Sequence, residues 1–283
     1  MNQITACIDG SNGTTAVCAA ASWVSQQLEK PLCLLHVLEK PAGREADLSG
    51  SIGLGSREHL LAQLSELDAQ RNKLAIESGH LMLEAAKDCA HNAGVTEVST
   101  LQRHGRLAWA VAELEEEIRV LVMGRQGDDH SVPSDNAVGS HLETVLRTVK
   151  CPVLVTAGEF VRPTSFMVAY DGSEPAQRAL ASYGNSPLLR GLPCHLVMVN
   201  HDDEAHKAQL EQAAGQLREE GFEVTVAYLS GDVQSQLLAY QQKNSINMIV
   251  MGAYGHSRIR QFFLGSHTRN MVSHTSVPLL LLR

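Results

Sequence analysis

The chain repeats itself. Ala6-Cys7-Ile8-Asp9-Gly10-Ser11 returns as Val168-Ala169-Tyr170-Asp171-Gly172-Ser173, and Leu34-Leu35-His36-Val37 as Leu196-Val197-Met198-Val199, each 162 positions later. Val120–Gly124 returns as Met248–Gly252 at an offset of 128, and Gly139-Ser140-His141 as Gly265-Ser266-His267 at 126. Cys151-Pro152-Val153-Leu154 is answered by Val277-Pro278-Leu279-Leu280. Self-similarity of this kind fixes the architecture before any element is assigned: two copies of one unit. The falling offset gives the first copy about 36 extra residues between its second strand and Gly105. A length of 283 residues agrees with two domains of about 150 each. We expect a first domain over 1–157 with a helical insertion around 41–80, a polar linker over 158–164, and a second domain over 165–283.

Within each copy short apolar runs alternate with helical stretches. In the second copy the expected strands are Phe166–Tyr170, His195–Val199, Glu223–Tyr228, Met248–Met251 and Pro278–Leu282. The expected helices are Pro175–Tyr183, Glu204–Glu220, Val233–Lys243 and Ser266–His274. Apolar runs separated by helices predict a parallel sheet covered on both faces, hence a doubly wound α/β domain of five strands. The last strands, Val153–Thr156 and Leu279–Leu282, are expected at sheet edges. Exposed edges of this kind invite pairing. Association of whole chains stays open.

In the insertion Leu60, Leu67, Leu74 and Leu81 recur at intervals of seven. A coiled coil also needs apolar residues at the interleaved positions, which are Leu64, Arg71, Ser78 and Ala85. Because Arg71 and Ser78 interrupt the seam, the expectation is a long amphipathic helix or helix pair packing on its own sheet.

Composition narrows the function classes. A formal charge of −8 argues against a broadly basic nucleic-acid-binding face. The most apolar run, Val277–Leu282, is far short of the roughly 20 residues of a membrane span. The Ala-rich stretch Ala16–Val24 follows Asp9 with no basic residue before Lys30, unlike a secretory leader, so a cytoplasmic chain is expected. Six scattered cysteines form no C-x-x-C pair, and Cys7, Cys33 and Cys151 read as small buried thiols. The His201–His206 stretch, dense in acids and histidines, reads as a solvated helix start rather than a metal site.

The chemistry concentrates after the fourth strand of the second copy. Gly252-Ala253-Tyr254-Gly255 follows an apolar strand, and Gly265-Ser266 opens a helix ten positions beyond Gly255. Glycines at a strand's carboxyl end let backbone N–H groups approach a phosphate, and a helix N-terminus favours an anion. His256, Ser257 and Arg258 supply further donors, with His267 just inside the helix. Asp171, ending the first strand, faces the same crevice, where doubly wound sheets bind ligands. An acid there accepts hydrogen bonds from a ribose hydroxyl or an adenine amine.

These residues resemble the universal stress protein family, over essentially the whole chain twice, apart from the insertion. The family's G-2x-G-9x-G-(S/T) signature is matched by Gly252, Gly255, Gly265 and Ser266. The resemblance implies two tandem Rossmann-like (adenine nucleotide alpha hydrolase-like) domains, each a five-stranded parallel sheet of order 3-2-1-4-5 with helices on both faces. It also implies binding of ATP or AMP and, because single-domain members commonly dimerise through the last strand, an intramolecular pseudo-dimer by antiparallel contact of Val153–Thr156 with Leu279–Leu282; Mg2+ is a companion that ATP can bring. Asp171 and the Val199 backbone would contact base and sugar, and the glycine loop ribose and phosphates.

The corresponding first-copy positions are Asp9, Val37, Gly124, Gly127, Gly139 and Ser140, but eleven residues rather than nine separate Gly127 from Gly139. Asp128 and Asp129 stand where the second copy has His256 and Ser257. A carboxylate beside a phosphate at about 4 Å is repulsive by roughly 1 kcal/mol in water and 4 in a protein-like dielectric. Nucleotide binding is therefore expected chiefly in the second half. The expected function is a nucleotide-binding stress-response protein acting as a ligand-dependent switch or interaction module. The alternatives are a slow ATP hydrolase, for which the second loop offers no evident carboxylate, and a non-binding structural interaction protein. No catalytic residue is assigned, and no G-x4-G-K-[ST], G-x-S-x-G or H-E-x-x-H motif occurs.

Overall fold

The computed structural model describes residues 2–39, 54–127, 139–184, 186–201, 203–252 and 266–282. The first half runs β1 (Gln3–Cys7), α1 (Thr14–Leu28), β2 (Leu32–Leu38), α2 (Leu54–Asn92), β3 (Val98–His104), α3 (Leu107–Glu113), β4 (Ile118–Gly124), α4 (Ser140–Thr148) and β5 (Val153–Thr156). The second runs β6 (Phe166–Ala169), α5 (Glu174–Gly184), β7 (Cys194–Val199), α6 (Glu204–Glu219), β8 (Val224–Leu229), α7 (Val233–Lys243), β9 (Ile249–Gly252), α8 (Ser266–His274) and β10 (Leu279–Leu282). The sequence periodicity places the strands and α-helices of the second half to within two residues at either end, and does not anticipate the short 3-10 helix Pro187–Leu189.

One ten-stranded sheet results, in the order β3-β2-β1-β4-β5-β10-β9-β6-β7-β8. Each half thus has the order 3-2-1-4-5, all parallel, and the halves meet where β5 and β10 pair antiparallel. The register sets Leu279 against Val155, Leu280 against Leu154 and Leu281 against Val153. Successive strand residues face opposite sides, so Leu280 and Leu154 enter one core while Leu279, Leu281, Val153 and Val155 enter the other. Both cores hold residues of both halves. The Trp23 ring of α1, 5.8 Å from that of Phe160, extends the first of them under the segment that joins the halves.

Helix α2 corrects one expectation. It is a single helix, and only its C-terminal part lies on the sheet, with Gly79, Leu83, Ala86 and Ala90 buried. Leu64, Leu67, Leu74 and Leu81 are exposed. The reason is angular: at about 100° per residue, Leu81 and Leu83 lie some 200° apart around the axis. The small residues at 79, 86 and 90 let the helix approach the sheet on that side, which turns the leucines spaced by seven away from it. Among the described residues no helix is long and apolar enough to cross a membrane.

Because the sheet and both cores cross the junction, the two halves should unfold together. Leu280→Ala, which opens a cavity beneath the junction, should cost about 2–5 kcal/mol. Chemical denaturation followed by circular dichroism checks both points: one transition is expected, shifted as a whole in the variant.

Candidate functional site

Each half turns sharply at the end of its first strand. Gly10 and Gly172 adopt φ of +78° and +74°, a left-handed conformation that favours glycine. The preceding aspartates fix the turn: Ser11 N–H donates to Asp9 Oδ1 and Ser173 N–H to Asp171 Oδ1, both at 3.0 Å. In the first half the Thr14 hydroxyl adds a bond to Asp9 Oδ1 at 3.3 Å. Both carboxylates stand exposed at the carboxyl edge of the sheet, beside half-buried Val37 and Val199 at the ends of β2 and β7.

In the first half this edge bounds a cleft of 670 Å3 whose lining includes Asp9, His36, Val37, Gly124, Gly127 and Ser140. Its glycines are there for close approach. A Cβ on Gly127 would sit 3.0 Å from Asp9 Oδ2, and one on Gly139 would sit 3.4 Å from the Arg125 carbonyl. That same carbonyl accepts the Gly139 N–H at 2.9 Å, so the amide preceding α4 is already used within the protein. His36 ties the strand ends together, its Nδ1 lying 2.7 Å from the Ile8 carbonyl.

Two first-half residues at this edge carry no motif. The Glu39 carboxylate accepts the Leu107 N–H at 2.9 Å and lies 3.3 Å from His141 Nδ1, so it sits over the starts of α3 and α4. The N-cap of α3 is Arg106, which makes no side-chain cap. A poor N-cap residue is the one sequence signal that a carboxylate must come from elsewhere. Arg125, in the first glycine loop, reaches into the other half: its Nη1 donates to the Ser273 carbonyl at 3.2 Å and the Thr275 carbonyl at 2.8 Å. These belong to the C-terminal end of α8, where a cation suits the helix dipole. The position equivalent to Arg125 in the second half is Ala253.

In the second half Gly252 ends β9, and its carbonyl accepts the Thr268 hydroxyl at 3.3 Å. This bond draws the first turn of α8, with exposed Ser266 and His267, against the strand end. Asp232 caps α7 by accepting the Ser235 hydroxyl at 2.7 Å and its N–H at 2.9 Å. Those two bonds, with a smaller contribution from His267, hold its carboxyl below the usual carboxylate range. In the first half a carboxylate thus lies beside the histidine that follows the Gly-Ser pair, Glu39 at 3.3 Å from His141. Gly255, His256, Ser257, Arg258 and Gly265 lie outside the described residues, as do Asp128 and Asp129.

The other candidates resolve simply. Asp203 caps α6, accepting the Ala205 N–H at 3.0 Å and lying 2.6 Å from His206 Nδ1. Among the described residues no group of three His, Cys, Asp or Glu side chains is placed to hold a metal ion. All six cysteines are unpaired; Cys33 is buried as expected, whereas Cys7 and Cys151 are half-buried. Burial pushes the Cys18, Cys151 and Cys194 thiols up to about 12, and Cys7 rises with them.

Comparison with known proteins bears on the whole chain. The sequence profile of the Universal stress protein family matches residues 1–157 and again 164–283. A universal stress protein of Synechocystis sp. is 34% identical over 289 residues, covering 100% of both chains. Among solved structures, a universal stress protein from Archaeoglobus fulgidus superposes with a TM-score of 0.70 at 20% identity, covering 100% of this chain and 98% of its own. A functionally unknown protein from Pseudomonas aeruginosa gives 0.63 at 16% identity, covering 100% and 92%. At these identities the two structures speak to the fold.

Arg125→Ala removes a charged donor from two carbonyls at the end of α8. A hydrogen bond to a charged group contributes about 1.5–3 kcal/mol. A stability loss of that order is expected in denaturant titration, with amide exchange accelerating in the last turn of α8.

Proposed function

Because the chain belongs to the universal stress protein family, with one family unit in each half, we propose that it is a cytoplasmic protein that binds an adenine nucleotide, ATP or AMP, chiefly in its second half. The ligand lies in the crevice at the carboxyl ends of β6, β7 and β9. Asp171 and the Val199 backbone receive the base and ribose. The loop of Gly252, Gly255, Gly265 and Ser266 takes the phosphates, with His256, Ser257, Arg258 and His267 as donors. The observation that carries this reading is the Thr268–Gly252 hydrogen bond, which brings the start of α8 to the end of β9. A strand-end glycine and a helix N-terminus then share one edge with Asp171, an arrangement suited to an anion and a sugar together.

The first half is the weaker site. Its Asp9, Val37, Gly124, Gly127, Gly139 and Ser140 line a cleft, but the Gly139 N–H is taken by a carbonyl and Arg125 is turned toward α8. The Glu39 carboxylate covers the helix starts that would otherwise favour phosphate, and Asp128 and Asp129 add negative charge. Mg2+ enters only as the companion of ATP, and no step is assigned to it. Helix α8 begins at the proposed phosphate site and ends on Arg125 of the first loop. Occupancy of the second crevice thereby bears on the first, which is the basis for a switch.

Gly265→Val should block close backbone approach and remove at least two charge-assisted bonds, weakening ATP binding by about a hundredfold or more. Gly139→Val should change total binding little. Calorimetric titration of both folded variants separates the cases. Equal losses would mean two equivalent sites, and undiminished affinity of the folded Gly265 variant would remove the proposed site.

A further inference from the structure

Helix α2 carries an apolar stripe that the other described residues leave uncovered. From Leu54 to Ser78 it spans about 37 Å at 1.5 Å per residue, and every described side chain from 62 to 78 is exposed. Along one side run Leu64, Leu67, Leu74 and Leu81, 43%, 51%, 65% and 65% exposed. The opposing side of the C-terminal part, at Gly79, Leu83 and Ala86, is the one seated on the sheet. The stripe thus points away from the sheet on which its own helix is seated.

We infer that a second copy of this chain covers the stripe, two α2 helices pairing antiparallel as a short coiled coil. The spacing is the first argument: leucines repeating by seven form a seam that is complementary to itself under a two-fold axis. Orientation follows from the two polar seam positions. A parallel pair would stack Arg71 on Arg71. In the antiparallel pair Arg71 meets Leu74 of the second copy and Ser78 meets Leu67, while Leu64 meets Leu81. The Arg71 stem packs on leucine and its guanidinium reaches water. At the seam's flanks the same register sets Gln70 beside Glu77 and Asp68 beside Ala75, with no like charges opposed.

The area is sufficient. Burying a leucine side chain removes about 60–120 Å2 at the usual apolar coefficient. The exposed leucines of two chains together remove roughly 500–1,000 Å2, and flanking stems bring the total into the range of about 1,200–2,000 Å2 of a stable dimer. Each tandem chain has already satisfied its β5 and β10 edges internally, so α2 supplies a contact that does not compete with the sheet.

Sedimentation equilibrium of the full chain tests this over a wide range of protein concentration. The native chain should be dimeric. The double variant Leu67→Glu/Leu74→Glu, altered only at side chains that face solvent in a single chain, should stay folded by circular dichroism and weaken the dimer at least about a hundredfold. Lys73→Glu, on the same helix but off the stripe, should leave the dimer intact. Arg71→Leu, which removes the charge from the seam, should tighten it about tenfold or more, an arm that does not depend on how the double variant folds. A native chain that is monomeric throughout, a dimer that the double variant leaves intact, or an Arg71→Leu variant with unchanged association would each overturn the inference.

Discussion

Three residues from each half, Val153–Val155 and Leu279–Leu281, zip two parallel sheets into one. Edge strands of parallel sheets expose unpaired backbone groups and, here, side chains that are apolar on both faces. Pairing β5 with β10 satisfies both at once. It makes the two cores continuous across the chain, and it sets the two glycine-bearing strand ends, Gly124 and Gly252, in β4 and β9 on either side of the junction. The geometry of everything that follows depends on that contact. Arg125 can reach Ser273 and Thr275 because β5 and β10 hold the first loop against the end of α8.

The two units share a strand order and differ in chemistry. Both halves present an Asp-Gly-Ser turn, a glycine-bearing loop and a Gly-Ser-His helix start. In the first half the Glu39 carboxylate lies beside that histidine, while in the second His267 only helps hold the Asp232 carboxyl below the usual range. The first half spends its loop groups internally, its glycine amide on a carbonyl and its arginine on the neighbouring helix. A duplicated binding fold can divide labour in this way. In the reading we propose, one copy binds the ligand while the other becomes a structural neighbour that responds through a shared helix.

Much of this was legible in the residues. The offsets of 162, 128 and 126 reveal two units and locate the insertion. The alternation of Phe166–Tyr170, Pro175–Tyr183 and their successors reveals the strands and helices, because in a doubly wound sheet local periodicity and burial agree. The edge pairing followed from two apolar edge strands together with the family resemblance, whose single-domain members pair through the last strand. Contacts between distant residues of differing type were not legible. Glu39 precedes the insertion and has no counterpart at the matching position, which is His201, so the repeat conceals it. Arg125 looked like one more loop residue, since its partners are carbonyls, which carry no sequence signature. The leucines of α2 were misassigned for a different reason. A sevenfold pattern specifies that a face wants burial, not which surface buries it, and Gly79, Ala86 and Ala90 had already claimed the sheet-facing side.

The central claim is that one half binds and the other listens. Equilibrium dialysis of labelled ATP and AMP against nucleotide-free protein, carried to saturation, measures it directly. The account predicts one tight site per chain, with any second site weaker by at least about a hundredfold. Two sites of equal affinity, or none, would contradict it.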